Sequence, residues 1–114
     1  MSDLKYQKVE PIARGDGEAI IHNGPVKEIP LTLIRLAYFD TDWAWVQDKC
    51  ISLSSHENVW VRRACVICFG HIARIHGTID RAKVDPVLHR LRNDPEVASA
   101  VEEAYSDFQI FLDA

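Results

Sequence analysis

Residues 58–77 read NVWVRRACVICFGHIARIHG, and this stretch decides the fold. Its apolar residues recur at steps of three and four, the spacing that places side chains on one face of an α-helix. These residues are Val61, Ala64, Cys65, Cys68, Ile72 and Ile75. Asn58 can cap the first turn, and Gly77 can adopt the left-handed conformation that closes a helix. The sequence therefore predicts one amphipathic helix from about Asn58 to His76.

A second stretch of the chain repeats this pattern. At a constant offset of 36 positions, the same spacing returns in Val97, Ala100, Val101, Ala104 and Phe108. Each of these two helices follows a shorter apolar segment. The two shorter segments match each other at an offset of 38 positions: the first carries Val46, Cys50 and Leu53, and the second carries Val84, Leu88 and Leu91. Such pairs cannot bury their apolar faces alone, so we expect stacked helix pairs at residues 42–76 and 78–112.

The helix boundaries carry residues that are suited to them. Asp94 can accept free backbone N–H groups, and Pro95 has no N–H to leave unpaired, so the last helix is predicted to start at about Pro95. Asp40, Thr41 or Asp42 can cap the helix that opens at Trp43, and the helix after Gly77 can be capped by Thr78 or Asp80.

Residues 1–41 are predicted to form an irregular start and helices that pack with the two pairs. Pro30 precedes a segment, up to Phe39, that is apolar around most of its surface, which predicts a helix covered by the others. Residues 18–22 fit a short helix or a strand, and we favour the helix. The predicted fold is all-α: a single domain over residues 1–114, forming a short right-handed α-solenoid of five or six helices.

Composition and charge bound the possible functions. The 114 residues are 47% hydrophobic and 26% charged, as in an ordinary globular domain. No stretch is long and apolar enough for a membrane span, and residues 1–6 lack the features of a secretory signal. Three cysteines are an odd number for a disulfide framework, so we expect reduced thiols and a cytoplasmic location. A net charge of −4 disfavours nucleic acid and favours a basic protein partner.

The predicted helix pairs resemble the HEAT family of helical repeats. The resemblance rests on Val61-Arg62-Arg63-Ala64 and on Phe69-Gly70-His71-Ile72, and it covers residues 43–112. It implies an Arg-to-Asp contact between successive pairs, although the second pair has Ala98 where the family has Arg.

Two further runs are similar to small bacterial HEAT-like proteins that serve as immunity proteins of toxin systems, including contact-dependent growth inhibition. The runs are Asp42-Trp43-Ala44-Trp45-Val46-Gln47 and Gly70-His71-Ile72-Ala73-Arg74-Ile75-His76-Gly77. This resemblance implies that the chain neutralises a toxin by binding it.

The last 22 residues carry the strongest signal for a cationic partner. Residues 93–114 contain six acidic residues and no Lys or Arg. The apolar pattern of the last helix leaves its polar residues outward, among them Ser99, Glu102, Glu103 and Asp107. We predict that these four residues contact a partner, because their field would attract and steer a basic protein.

Aromatic residues beside carboxylates form a second candidate. Asp40, Asp42, Trp43 and Trp45 could form an anchor with an acidic rim, but the aspartates also suit helix caps and one or both tryptophans suit the core. Trp60 is off the apolar face of its helix, so it either packs on a neighbouring pair or is exposed as an interface residue.

Metal binding is the alternative to a binding protein. Cys50, Cys65, Cys68 and His71 are residue types that zinc prefers, and they would suit a metal- or ligand-linked regulatory or enzymatic domain. The face that carries them also carries core residues, so buried thiols are the favoured interpretation, with no metal or other cofactor. His71 and His76 also suit a structural role at a helix end.

No nucleophile arrangement or phosphate loop is recognisable, so we expect no enzymatic activity. The central arginines lie on several helices and loops, which is typical of a solvated surface rather than a nucleic-acid stripe. The function predicted is an antitoxin that binds a cognate toxin, such as a basic nuclease, 1:1 and occludes its active surface. The predicted contact residues are Asp40, Asp42, Trp43, Trp60, Ser99, Glu102, Glu103 and Asp107, and the sequence leaves the oligomeric state open.

Overall fold

A computed structural model describes residues 9–112, and this part of the chain is helical without any strand. The helices are α1 (Arg14–Asn23), α2 (Ile29–Phe39), α3 (Trp43–Leu53), α4 (Val59–His76), α5 (Arg81–Leu91) and α6 (Ala98–Phe111), with a 3₁₀ turn at Val26–Glu28 before α2. The all-α prediction is confirmed, as is the helical reading of residues 18–22. None of the helices described has the length and hydropathy needed to cross a bilayer.

The central helix α4 begins and ends where the sequence predicts. The Asn58 Oδ1 atom accepts hydrogen bonds from the backbone N–H groups of Trp60 (2.9 Å) and Val61 (3.2 Å). Gly77 closes the helix with φ of 69°, a conformation that glycine adopts without a steric penalty. The carboxylates of Asp42 and Asp80 cap α3 and α5 in the same way.

The helices pack as three consecutive pairs, in which α1 contacts α2, α3 contacts α4 and α5 contacts α6. The second helices of the pairs form a row with α4 between α2 and α6. Two side-chain contacts show that the three helices of this row run in the same direction. Near the carboxyl ends of α4 and α2, Arg74 reaches the Tyr38 hydroxyl (3.4 Å). Near the amino ends of α4 and α6, Arg63 reaches the Glu96 carbonyl (3.2 Å). The predicted right hand of the solenoid stays a prediction.

The hydrophobic core surrounds α4. Phe69 and Ile72 of α4 are fully buried together with Leu36 of α2 and Phe108 of α6. Burial of each large apolar side chain contributes roughly 1.5–3 kcal/mol to the free energy of folding. Because the buried side chains of α2 and α6 pack on α4, the contacts of α4 stabilise most of the row of second helices.

Two sequence predictions are wrong in detail. The last helix begins at Ala98 rather than at Pro95, because Val97 has a non-helical φ of −124° and the Asp94 cap closes a separate turn through a bond from the Glu96 N–H (3.0 Å). Helix α2 is not covered all round, since it lies at the end of the row, and its Leu31 and Phe39 are exposed.

Candidate partner-binding surface

A groove of about 360 Å³ lies between α4 and α6 at the surface of the row. Its walls combine apolar and acidic side chains: Val66, Ile67 and His71 from α4, and Ala100, Glu103, Ala104, Ser106 and Asp107 from α6. Two residues of the predicted contact set, Glu103 and Asp107, therefore lie together in one concave feature. They are four positions apart on α6, which places them one above the other.

Glu102 lies on a different side of α6. Its carboxylate is 3.8 Å from the Arg92 Nε atom, and the Arg92 guanidinium lies over the Tyr105 ring at 5.4 Å. The acidic residues of α6 thus divide into a pair that lines the groove and a residue that pairs with a cation beside α5. No Lys or Arg within residues 9–112 forms an ion pair with Glu103 or Asp107.

Gly70 allows α6 to place a carboxylate directly against α4. A Cβ atom at this buried glycine would collide with the Oδ2 atom of Asp107. The absence of a side chain at Gly70 is therefore what lets the Asp107 carboxylate sit at the wall of the groove. The sequence pattern, which assigns Gly70 to a family motif, does not indicate this role.

His71 lies at the same wall. Burial, followed by the nearby Arg74 cation, lowers its pKa, and the Asp107 carboxylate opposes this effect in part. Because the Arg74 guanidinium can only donate, its 3.2 Å contact with the His71 Nδ1 atom makes Nδ1 the acceptor and leaves the proton on Nε2. The ring also packs edge-on to Tyr38 of α2, with centroids 4.9 Å apart.

Trp60 and Ser99 lie at the end of the row where α4 and α6 begin. Trp60 is 65% exposed, which resolves the two alternatives left open by the sequence in favour of exposure. Ser99 is also exposed. An exposed tryptophan is a residue type that interfaces use more often than other surfaces do.

Asp40, Asp42 and Trp43 lie in and after the loop between α2 and α3, outside the groove. Asp40 accepts hydrogen bonds from Arg14 at 2.8 and 3.2 Å, and this bond lowers the pKa of the Asp40 carboxyl. Asp42 caps α3, and Trp43 is half-buried against the core. These residues thus have internal roles, and their contact with a partner stays a prediction.

The four residues of the metal hypothesis do not form one site, because only the three cysteines lie close to one another and His71 lies apart from them. Cys50, Cys65 and Cys68 are fully buried between α3 and α4, whereas His71 contacts Tyr38 and Arg74. A hydrogen bond with Cys50, together with burial, raises the pKa of the Cys65 thiol. Across residues 9–112, no three His, Cys, Asp or Glu side chains are arranged to hold a metal ion.

The apolar part of the groove is not among the residues predicted from the sequence. Ile67 is partly buried against the core and lines the groove with Val66. Ile67 and Glu103 are equivalent positions at the 36-residue repeat offset, and both line the groove.

This fold and surface define an all-α protein of stacked helix pairs that presents an acidic, partly apolar groove. No known family model matches the sequence, so membership of the HEAT family is not confirmed. No curated protein matches it either.

A solved structure does match. The chain is 30% identical to a chain in the crystal structure of a CDI complex from Cupriavidus taiwanensis LMG 19424, with a TM-score of 0.82. The match covers 93% of this chain and 96% of the other. The chain therefore belongs to the same family as that component of the CDI complex.

Proposed function

We propose that this protein is an immunity protein of a contact-dependent growth inhibition system, which binds a cognate toxin 1:1 and occludes its active surface. The observation that carries the proposal is the near full-length similarity to a component of a CDI complex. The proposal includes a cytoplasmic location and the absence of enzymatic activity.

The electrostatics of the chain support a basic toxin domain as the partner. The net charge is −4, and residues 93–114 have no Lys or Arg. Such a field raises the rate at which a cationic protein arrives, and salt weakens the effect. A nuclease domain fits this description, because a surface that binds phosphates is cationic and an acidic protein can cover it.

The arrangement of helices supports a binding function as well. Burial of the core against α4 leaves the outer surface of the row as a rigid platform, and the acidic groove and the exposed Trp60 are both on the helices of that row. Preorganised surfaces of this kind lose little conformational entropy when they bind.

The proposal predicts a toxin domain encoded next to the gene for this chain, and the test uses that domain. Co-expression of this chain should protect cells from that toxin domain, and the purified pair should elute as a 1:1 complex in size-exclusion chromatography with light scattering. A toxin domain from an unrelated system is the control, since specificity predicts neither protection nor a complex. Cells that die despite soluble expression of this chain, together with no complex, would contradict the proposal.

A further inference from the structure

We propose that the groove between α4 and α6 receives an arginine side chain of the partner, with its guanidinium between Glu103 and Asp107 and its aliphatic stem along Ile67 and Ala104. This inference rests on the proposed function for the identity of the partner. The groove itself can be tested without the toxin.

The first argument is shape and polarity. The floor and walls of the groove include Val66, Ile67, Ala100 and Ala104, which are apolar, while its carboxylates come from α6 alone. Arginine has a matching division, because its three methylene groups pack on apolar surface and its charged end stays at a polar rim. A fully apolar side chain would leave both carboxylates beside it without a partner.

The second argument is charge. Other acidic residues of the carboxyl-terminal segment have cationic partners within the chain: Glu102 pairs with Arg92, and Asp94 and Glu96 pair with Arg62. Glu103 and Asp107 have no such partner among the residues that the structure describes. A cation from outside would therefore supply the interaction that the chain itself provides for the neighbouring carboxylates.

The third argument is the choice of arginine over lysine. Glu103 and Asp107 are one helical turn apart, with Cβ atoms separated by about 5–6 Å. A planar guanidinium carries five N–H donors and can reach two carboxylates at this separation, whereas an ammonium concentrates its three donors on one atom. Gly70 leaves room for the Asp107 Oδ2 atom against α4, which allows that carboxylate to lie at the wall of the groove.

The first experiment titrates the free protein with acetyl-arginine amide and follows backbone amide shifts by NMR. We expect saturable shifts at Ile67, Ala100 and Ala104, smaller shifts with acetyl-lysine amide and none with the uncharged acetyl-citrulline amide. The Glu103→Gln/Asp107→Asn double variant should lose the response, and Glu102→Gln should keep it. Shifts that are absent, or that citrulline reproduces, overturn the proposal.

The second experiment measures binding of the toxin domain to the same variants. The double variant should raise Kd by about 100-fold, since each charged hydrogen bond contributes about tenfold or more, while Glu102→Gln changes Kd less than about threefold. An unchanged Kd in the double variant overturns the groove and leaves the proposed function intact. Absence of binding by the unmodified protein would instead contradict the proposed function.

A third variant changes geometry without changing charge. Gly70→Ala should displace the Asp107 carboxylate and weaken both arginine and toxin binding by about tenfold, because one of two charged bonds is misplaced. The displaced atom is the end of a side chain, so the fold should persist, and circular dichroism checks this. A folded Gly70→Ala protein that binds like the unmodified protein contradicts the proposed position of the guanidinium.

Discussion

Arg62 links α4 to the chain segments before and after it, and its removal should be the most destabilising change at a charged residue. The guanidinium donates to the carbonyls of His56 (3.0 Å) and Glu57 (2.9 Å) and to the Asp94 carboxylate (3.2 Å). This last bond joins the second and third helix pairs, as the HEAT resemblance implies. The Arg62 side chain is only 16% exposed, so water cannot replace these bonds fully.

We expect Arg62→Ala to lower the free energy of unfolding by about 3 kcal/mol, from three bonds worth about 1 kcal/mol each at a partly exposed site. The Glu96 carboxylate, 3.6 Å away and mostly exposed, adds little. Arg62→Lys should lose about 2 kcal/mol, because an ammonium reaches fewer of the acceptors than the planar fork does. Such losses are large against a typical total of roughly 5–15 kcal/mol.

Urea unfolding followed by circular dichroism measures these differences, with the slope of the transition as a check on two-state behaviour. Arg63→Ala is the matched control, because Arg63 is adjacent and donates one bond, to the Glu96 carbonyl. It should cost less than about 1 kcal/mol. Equal effects of Arg62→Ala and Arg63→Ala would refute the assignment of Arg62 as the link between pairs.

Three further predictions concern other parts of the molecule. Gly77→Ala should lower the free energy of unfolding by roughly 1–2 kcal/mol, because Gly77 has φ of 69°. Gly15→Ala, at a helical position with open space around it, should not lower it, and thermal unfolding compares the two variants. Because the pKa of His71 is lowered in the folded protein, the unfolded chain binds a proton more tightly at this residue. The free energy of unfolding should therefore fall as the pH drops from the ordinary histidine pKa of 6.5 to the pKa of His71 in the folded protein. His71→Gln should flatten this part of the profile of stability against pH. The buried thiols of Cys50, Cys65 and Cys68 should react with a thiol reagent at least about a thousandfold more slowly than in urea-unfolded protein, and rapid labelling of the folded protein would show that the α3–α4 interface opens.

Much of the fold follows from neighbouring residues in the sequence. The apolar spacing from Val61 to Ile72, the Asn58 cap and the Gly77 terminator define α4 locally, because helix formation and capping depend on residues within one or two turns. The repeat offset then indicates which helices carry equivalent faces. These features were sufficient to predict the helical class and the stacking of pairs.

The candidate site was predictable only in part. The sequence identifies α6 as acidic, but Glu102 and Glu103 are adjacent in the chain and differ only in which neighbour they meet. Glu102 forms an ion pair with Arg92, and Glu103 lines the groove between α4 and α6. Sequence spacing gives the angle between two side chains on a helix, but it does not give the position of the helices around them.

The sequence by itself indicated five or six helices, both ends of α4 and the excess of negative charge at the carboxyl-terminal end. The tertiary structure decided that Trp60 is exposed, that Asp40 pairs with Arg14 and that the Asp107 carboxylate lies against Gly70. Each of these depends on contact between residues at least 26 positions apart or on the absence of a covering helix. The helix propensity of neighbouring residues carries no information about which distant residues come into contact, because those contacts form only when the apolar faces pack around α4.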